Sequence, residues 1–285
     1  MRTTIRRRDL VIDGLRLHVA EAGSGPPLLL VHGLTASHAV WQPTIEAFAD
    51  RWRVIAPDLP GHGESAKPDA PYTIDFFAGM VRSLARALEV REAVVCGSSL
   101  GGRVALELAL YYPAFTRALV LAAPAVGYSI AMRPVGQALQ ALTGPRILRA
   151  SLERFFQQNF HDRKRLGHVA RSRILEERLA APDFPEFTRA VARSLAGVLR
   201  SERQPIERVT QPVLVVWGRQ DRLVPLRRSA EILRRIPHAR LEVLERCGHL
   251  PMLEQPGAFN TVVAEFLRAA LAAPRGRRSR VAGVA

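Results

Sequence analysis

Ala93-Val94-Val95-Cys96-Gly97-Ser98-Ser99-Leu100-Gly101-Gly102-Arg103-Val104 passes from a short apolar block into a helix-forming one, with Ser99 at the joint and a glycine two places to either side. The four apolar residues read as a buried strand, and Leu100 to Tyr112 carries apolar residues at helical spacing. The glycines have a steric cause: a side chain held at the apex of so tight a strand-to-helix turn draws neighbouring backbone close, and only small residues fit there. The consequence is chemical. The hydroxyl stands above the sheet edge at the positive end of a helix, where an oxyanion can be stabilised. Two places before Ser98 stands Cys96, so Ser99 and not Ser98 fits the apex. The competing reading, a glycine-rich surface turn, makes no use of the strand before it or the helix after it.

Outward from this joint the same alternation repeats. Arg16–Glu21, Pro27–Val31, Arg53–Ala56, Ala93–Cys96, Ala118–Ala122, Val213–Trp217 and Arg240–Leu244 read as strands between amphipathic helical stretches. That predicts an α/β fold with a mostly parallel, doubly wound sheet covered on both faces. After Pro225, Leu226, Ala230 and Leu233 fall on one helical face and Arg227, Arg228, Arg234 and Arg235 on the other. After Pro256, an apolar stripe runs through Phe259, Val262, Val263, Phe266 and Leu267. Between about Gly127 and Arg208 the alternation stops and helix follows helix. Leu148, Leu152, Phe155 and Phe156 make one stripe there, and Phe184, Phe187 and Val191 another. The expected organisation is a core in two parts, 1–126 and 209–273, with an inserted helical cap at 127–208 and a basic, disordered tail at 274–285.

The 285 residues are 48% hydrophobic and 24% charged, the make-up of a soluble globular chain. No apolar run approaches the ~20 residues that span a bilayer. The arginine-rich start leads into the alternating stretch Leu10 to His18 rather than a signal-peptide block, so a cytoplasmic location is expected. Two cysteines, Cys96 and Cys247, are too few for a disulfide framework and read as buried reduced thiols. The net charge is +15, and Arg2, Arg6, Arg7, Arg8, Arg275, Arg277, Arg278 and Arg280 concentrate eight positive charges at the two ends. These are expected to be solvated ends. They admit an acidic carrier protein or an anionic surface as partner, while the lack of interleaved aromatics argues against nucleic acid. Oligomeric state stays open.

A serine hydroxyl is a poor nucleophile near neutral pH and needs a base. Of the eight histidines, His249 is the best placed, in the loop Glu245-Arg246-Cys247-Gly248-His249 after the strand Arg240–Leu244. His18, His161, His168 and His238 read as surface or cap residues. The base in turn needs an acid to fix its tautomer and stabilise the imidazolium. Asp221 fits, in the loop Gly218-Arg219-Gln220-Asp221 after Val213–Trp217; an aspartate there also suits a helix N-cap, and the two roles coexist. The slot after the preceding strand, Leu121-Ala122-Ala123-Pro124, holds no acid. For the oxyanion, the backbone N–H of Leu100 and that of Leu34, in the loop His32-Gly33-Leu34, are the expected donors, with His32 bracing the loop. The order serine, acid, histidine along the chain is that of one hydrolase fold and not of the chymotrypsin or subtilisin arrangements.

With these residues in place the chain resembles the α/β-hydrolase superfamily in its capped, esterase-like form. The likeness is carried by Val31-His32-Gly33-Leu34, Pro57-Asp58-Leu59-Pro60-Gly61-His62-Gly63-Glu64-Ser65, Gly97–Gly102, Trp217-Gly218-Arg219-Gln220-Asp221 and Gly248-His249-Leu250-Pro251-Met252-Leu253-Glu254-Gln255-Pro256. They follow the family order across nearly the whole core. The resemblance implies a serine hydrolase with the triad Ser99, Asp221 and His249, no metal and no organic cofactor, acting on a small-molecule carboxylic ester with an apolar acyl group. It implies a structural turn at Asp58–Ser65, without a catalytic role for His62 or Glu64. Ser99 argues against epoxide hydrolases and haloalkane dehalogenases of this fold, which use aspartate at the elbow. Carbon–carbon hydrolases of ring-cleavage products keep the triad and stay open as an alternative; they often carry Asn before the elbow serine and Trp after the base, where this chain has Ser98 and Leu250. A small-ligand sensor on the same fold is the other alternative.

Overall fold

The computed structural model describes residues 3–126, 160–161, 181–200 and 204–272. Most of the stretch expected as the cap lies outside them, including the stripe Leu148 to Phe156, and so does the basic tail. Arg6–Ile12 (β1), Leu15–Ala22 (β2), Pro27–Val31 (β3), Arg53–Pro57 (β4), Ala93–Ser98 (β5), Thr116–Ala122 (β6), Val213–Gly218 (β7) and Arg240–Leu244 (β8) form one sheet. Its order is β1-β2-β4-β3-β5-β6-β7-β8. β1 and β2 pair antiparallel, as do β2 and β4, and every other pair is parallel.

The apolar strand runs are continuous because both faces are buried, and the twofold alternation of side chains divides them. Leu29, Val31, Val95, Leu119, Leu121, Val213, Val215 and Trp217 join one core cluster. Leu28, Leu30, Val94, Cys96, Val120, Leu214 and Val216 join the other. The first face is covered by Ile74–Ala87 (α2) and Leu100–Tyr111 (α3), through Phe77, Leu84, Val104 and Leu108. The second is covered by Gln42–Phe48 (α1) and, at the end of the chain, Pro256–Ala272, through Ile45, Phe48, Phe259, Val263 and Phe266. Cys96 and Cys247 are both buried free thiols within that second cluster.

Three expectations need correction. Arg6, Arg7 and Arg8 are the ordered start of edge strand β1 rather than a loose end; Arg6 and Arg7 are exposed, and half-buried Arg8 pairs with Glu21 at 2.9 Å. An outermost strand leaves backbone groups unpaired, and charged side chains there block edge-to-edge association. His18, read as a surface or cap residue, lies buried in β2 with Nδ1 bonded to Asp9 Oδ1 at 2.8 Å. In the helix after Pro225, the first turn is 3₁₀ (Leu226–Arg228) before Ser229–Arg235 continues. That shifts the helical phase: Ser229 and Ile232 face inward, joined by Ile236 beyond the last turn, and Ala230 is exposed.

Within the stretch expected as the cap, Phe184–Arg200 forms a helix, α4. Its inner stripe is Phe187, Ala190, Ser194 and Val198; it lies close on the Gly61–Tyr72 loop where Ala190 stands against Gly61 and Gly197 against the Tyr72 carbonyl. Phe187 meets the His62 ring edge-on at 6.4 Å. Lys67, held by the Gly63 and Ser65 carbonyls, reaches Asp183 at 2.6 Å, and Arg193 pairs with Asp69. Arg103 of α3 donates to the Val198 carbonyl at 3.0 Å. The remaining α-helices among the described residues are Ser229–Arg235 (α5), Pro251–Glu254 (α6) and Pro256–Ala272 (α7).

Candidate active site

Ser99 joins β5 to α3 with φ 52° and ψ −111°, a left-handed conformation that costs a non-glycine residue of order 1–3 kcal/mol and persists only where its surroundings enforce it. They do so here. The Ser99 N–H donates to the Ala122 carbonyl at 3.0 Å, and the Ser99 carbonyl accepts from Gly102 at 3.1 Å and Ala125 at 3.0 Å. A Cβ on Gly97 would collide with the Gly101 backbone, and one on Gly101 with the Val31 and His32 carbonyl oxygens. Close approach of three backbone segments is therefore the reason for the two glycines. Ser99 itself is partly exposed.

The loop after β3 closes on the serine from the other side. A Cβ on Gly33 would stand 3.1 Å from Ser99 Cβ, so the next residue, Leu34, is delivered beside the elbow. His32 fixes this loop: Leu59 N–H donates to Nε2 at 2.9 Å, which leaves Nδ1–H to donate to the Gly33 carbonyl at 2.7 Å. Both bonds need a neutral ring, and burial indeed pushes the His32 pKa down, against the opposing pull of Asp58. Among the described residues, neither the Leu34 nor the Leu100 N–H donates to a protein acceptor. Two such donors flanking one hydroxyl can hold an oxyanion.

Asp221 and His249 are brought together directly. Trp217 Nε1–H donates to the Val224 carbonyl at 2.8 Å, shaping the loop after β7. Within it Asp221 Oδ1 accepts from Leu223 N–H at 2.9 Å and Val224 N–H at 2.8 Å, which folds the loop back on the carboxylate rather than capping a helix, since the following 3₁₀ turn starts at Leu226 with Pro225 as its N-cap. That leaves Oδ2 for His249 Nδ1–H, 2.7 Å away and buried. The two loops are laced by Gln220: its N–H donates to the Cys247 carbonyl at 2.9 Å, and its Oε1 accepts from Cys247 N–H at 3.0 Å. His249 Nε2 is buried and has no partner among the described residues. With Nδ1–H committed to a carboxylate, this nitrogen holds a free lone pair and can take a proton. The three loops leave the same edge of the sheet, beyond the carboxyl ends of β5, β7 and β8.

The Asp58–Ser65 turn is structural, as the resemblance implied, but the His38–Asp58 couple within its bonding and the contact made by Glu254 went unread in the sequence. Asp58, fully buried, accepts from His38 N–H at 2.6 Å, His38 Nδ1 at 3.0 Å and Glu64 N–H at 2.8 Å, and Ser65 Oγ–H donates to its carbonyl at 2.7 Å. Asp58–Ser65 is thus a knotted turn against which the His32 loop rests. Glu254 accepts from Gly248 N–H, next to the base. Among the described residues no group of three or more His, Cys, Asp or Glu side chains is set to hold a metal, and no helix is long and apolar enough to cross a membrane.

The sequence pattern of the alpha/beta hydrolase fold family matches residues 26–256, so the chain belongs to that family. Among characterised relatives, a 2-hydroxymuconate semialdehyde hydrolase from Pseudomonas sp. strain CF600 is 31% identical over 277 residues, covering 93% of this chain and 95% of that protein. A pimeloyl-[acyl-carrier protein] methyl ester esterase from Nitrosomonas europaea is 32% identical over 256 residues, covering 85% and 96%. Among solved structures, a meta-cleavage product hydrolase from Pseudomonas fluorescens IP01 superposes with a TM-score of 0.77 at 27% identity, covering 92% of this chain and 98% of that one.

Proposed function

We propose that the protein is a serine hydrolase that cleaves carboxylic esters, with Ser99 as nucleophile, His249 as base, Asp221 as its orienting acid, and the Leu34 and Leu100 N–H groups as the oxyanion donors. The observation that carries this reading is the buried Asp221–His249 bond of 2.7 Å with its outer nitrogen open, on the sheet edge where Ser99 is held in a strained turn. Ser99 Oγ attacks the ester carbonyl as its proton passes to His249 Nε2. The carbonyl π pair moves onto oxygen, where the two N–H groups receive it, each worth about 3 kcal/mol in the transition state. Collapse expels the alkoxide, which leaves as the alcohol with the proton from His249. Water, deprotonated by His249, then attacks the acyl-enzyme; collapse releases the acid and returns the proton to Ser99. The inserted stretch at 127–208, rich in leucine and phenylalanine, forms the apolar acyl pocket in this proposal.

A second reading is cleavage of a carbon–carbon bond in a vinylogous diketone acid by the same triad. It is favoured by the likeness to the 2-hydroxymuconate semialdehyde hydrolase, and Ser98 and Leu250 stand against it. One panel separates them: p-nitrophenyl esters of graded acyl length beside a vinylogous diketone acid, on native protein and Ser99→Ala. Ester turnover that rises with acyl length and vanishes in the variant is expected. Turnover of the diketone acid alone moves the assignment to the second reading, and a Ser99→Ala protein as active as the native one ends both.

A further inference from the structure

Glu254, the last residue of α6, turns its carboxylate back toward the loop that carries His249. Oε1 accepts from Gly248 N–H at 2.9 Å, one residue before the base. Oε2 accepts from His161 N–H at 2.8 Å, in the inserted stretch and 93 positions away in sequence. The neighbouring Phe160 is buried in the same apolar cluster as Cys247, Leu250 and Met252. One side chain therefore joins a backbone donor of the base's loop to a backbone donor of the insertion. A carboxylate is chemically suited to such a link. Both partners are donors, and it offers an acceptor oxygen to each, whereas an amide offers one acceptor and turns an N–H₂ against the other.

We propose that Glu254 is a positioning residue that couples the inserted segment to the alignment of His249. Through Gly248 it sets how the imidazole meets Asp221, and through His161 it registers the insertion to that same loop. The proposal rests on His249 being the base. The negative charge by itself adds no stability near neutral pH. Burial raises its pKa, and the His161, Gly248 and Leu250 N–H groups offset that only in part. A carboxyl whose folded pKa lies above its unfolded one loses stability as pH rises through that interval. In Glu254→Gln the amide N–H₂ turns toward one of the two backbone donors, and because Glu254 is only half-buried the stability cost is smaller than at a fully buried site, while the loop geometry changes directly.

The test uses the full chain as native protein, Glu254→Gln and His161→Pro, the last removing the second N–H. Three quantities are read: the rate at which a fluorophosphonate modifies Ser99, the downfield proton resonance of His249 Nδ1–H, and the thermal midpoint. Both variants are expected to slow modification about tenfold or more, as small misplacements of a base do, and to shift or broaden the resonance, with midpoints within a few degrees of native. Glu254→Gln with native rate and native resonance overturns the proposal. His161→Pro at native values, with Glu254→Gln changed, overturns the coupling. If His161→Pro does not fold, Phe160→Ala, which withdraws the apolar anchor beside that N–H, reads the same arm with the same criteria. A native protein that the probe does not modify at all sinks the Ser99 reading instead, and the resonance still reports whether Glu254 holds the loop.

Discussion

Among the described residues stand two buried histidine–aspartate couples, one in each half of the core, and they are built to opposite ends. His38 and Asp58 meet at 3.0 Å; His249 and Asp221 meet at 2.7 Å. In the first couple every valence is spent. Asp58 also takes the His38 and Glu64 N–H groups, and the outer nitrogen of His38 accepts from Arg7 Nε–H at 3.3 Å. In the second, the acid's remaining contacts cap its own loop, and the outer nitrogen of His249 is left open. A histidine–carboxylate pair is thus no sign of catalysis by itself. An open Nε2 does not mark a base by itself either, since His18 in β2 has Nδ1 on Asp9 at 2.8 Å and a buried Nε2 without a partner among the described residues; what sets His249 apart is an open nitrogen on the sheet edge that also carries Ser99.

The largest predicted effect breaks this comparison at the acids. Asp221→Asn keeps an oxygen for the Leu223 and Val224 N–H groups but cannot hold the productive tautomer of His249. Hydrolysis is expected to fall about ten-thousandfold with unfolding free energy changed by about 1 kcal/mol or less. Asp58→Asn reverses the pattern. Its amide N–H₂ must face a donor that the carboxylate accepted from, in a fully buried site, and denaturant unfolding should show a loss of about 3 kcal/mol. Activity per folded molecule should stay within about threefold. Equal losses of stability in the two variants would erase the distinction between clamp and base.

This contrast also explains what the sequence could disclose. Ser99, Asp221 and His249 are legible because each sits in a short motif directly after an apolar strand run, and strand ends on one sheet edge are neighbours whatever their separation in the chain. His38 and Asp58 meet only because β3 and β4 lie side by side, and neither residue stands in a pattern that announces the other. β1 was hidden by its arginines: on an edge strand only Leu10 and Ile12 of the inward face carry an apolar signal, and Val11 points outward, 75% exposed. The phase error at Ala230 has a similarly local cause, since a 3₁₀ turn advances by three residues where the α-helical wheel assumes 3.6. Glu254 could have been suspected only by asking which acceptor the Gly248 N–H finds, a question periodicity does not raise.

A second, smaller effect sharpens the comparison by pH. Two further histidines of the first half are kept neutral by their surroundings. Burial above all pushes His62 down to about 3. Its ring lies edge-on to Phe77 and Phe187. In the unfolded chain the same ring protonates near 6.5. The unfolded state therefore gains protons that the native state refuses, so the associated stability is complete above about pH 6.5 and is lost as pH falls toward 3, by up to about 1.4 kcal/mol per unit. The Asp58 carboxyl acts lower: burial raises its pKa, but His38, His32 and the Glu64 N–H together hold it below the usual value, so its contribution is lost only as pH falls through that depressed value. Unfolding free energy measured from pH 7 to 4 should slope from the histidine end, and His62→Phe should remove about one proton's worth of that slope. An unchanged slope in the variant would place the acid sensitivity elsewhere.

The smallest effect comes from opening the closed couple. Arg7→Ala frees His38 Nε2 by deleting one long bond from an exposed guanidinium, and such contacts are worth about 0.5 kcal/mol or less. The freed nitrogen then resembles that of His249 in occupancy, which makes this variant the strictest control on the comparison. An open nitrogen alone supplies no nucleophile, and the ring packed beside His38 is that of His18, at 5.2 Å. Native rates of ester hydrolysis are expected, with fluorophosphonate modification confined to Ser99. A loss of stability as large as that of Asp58→Asn would mean that Arg7, rather than the buried carboxylate, holds the clamp closed.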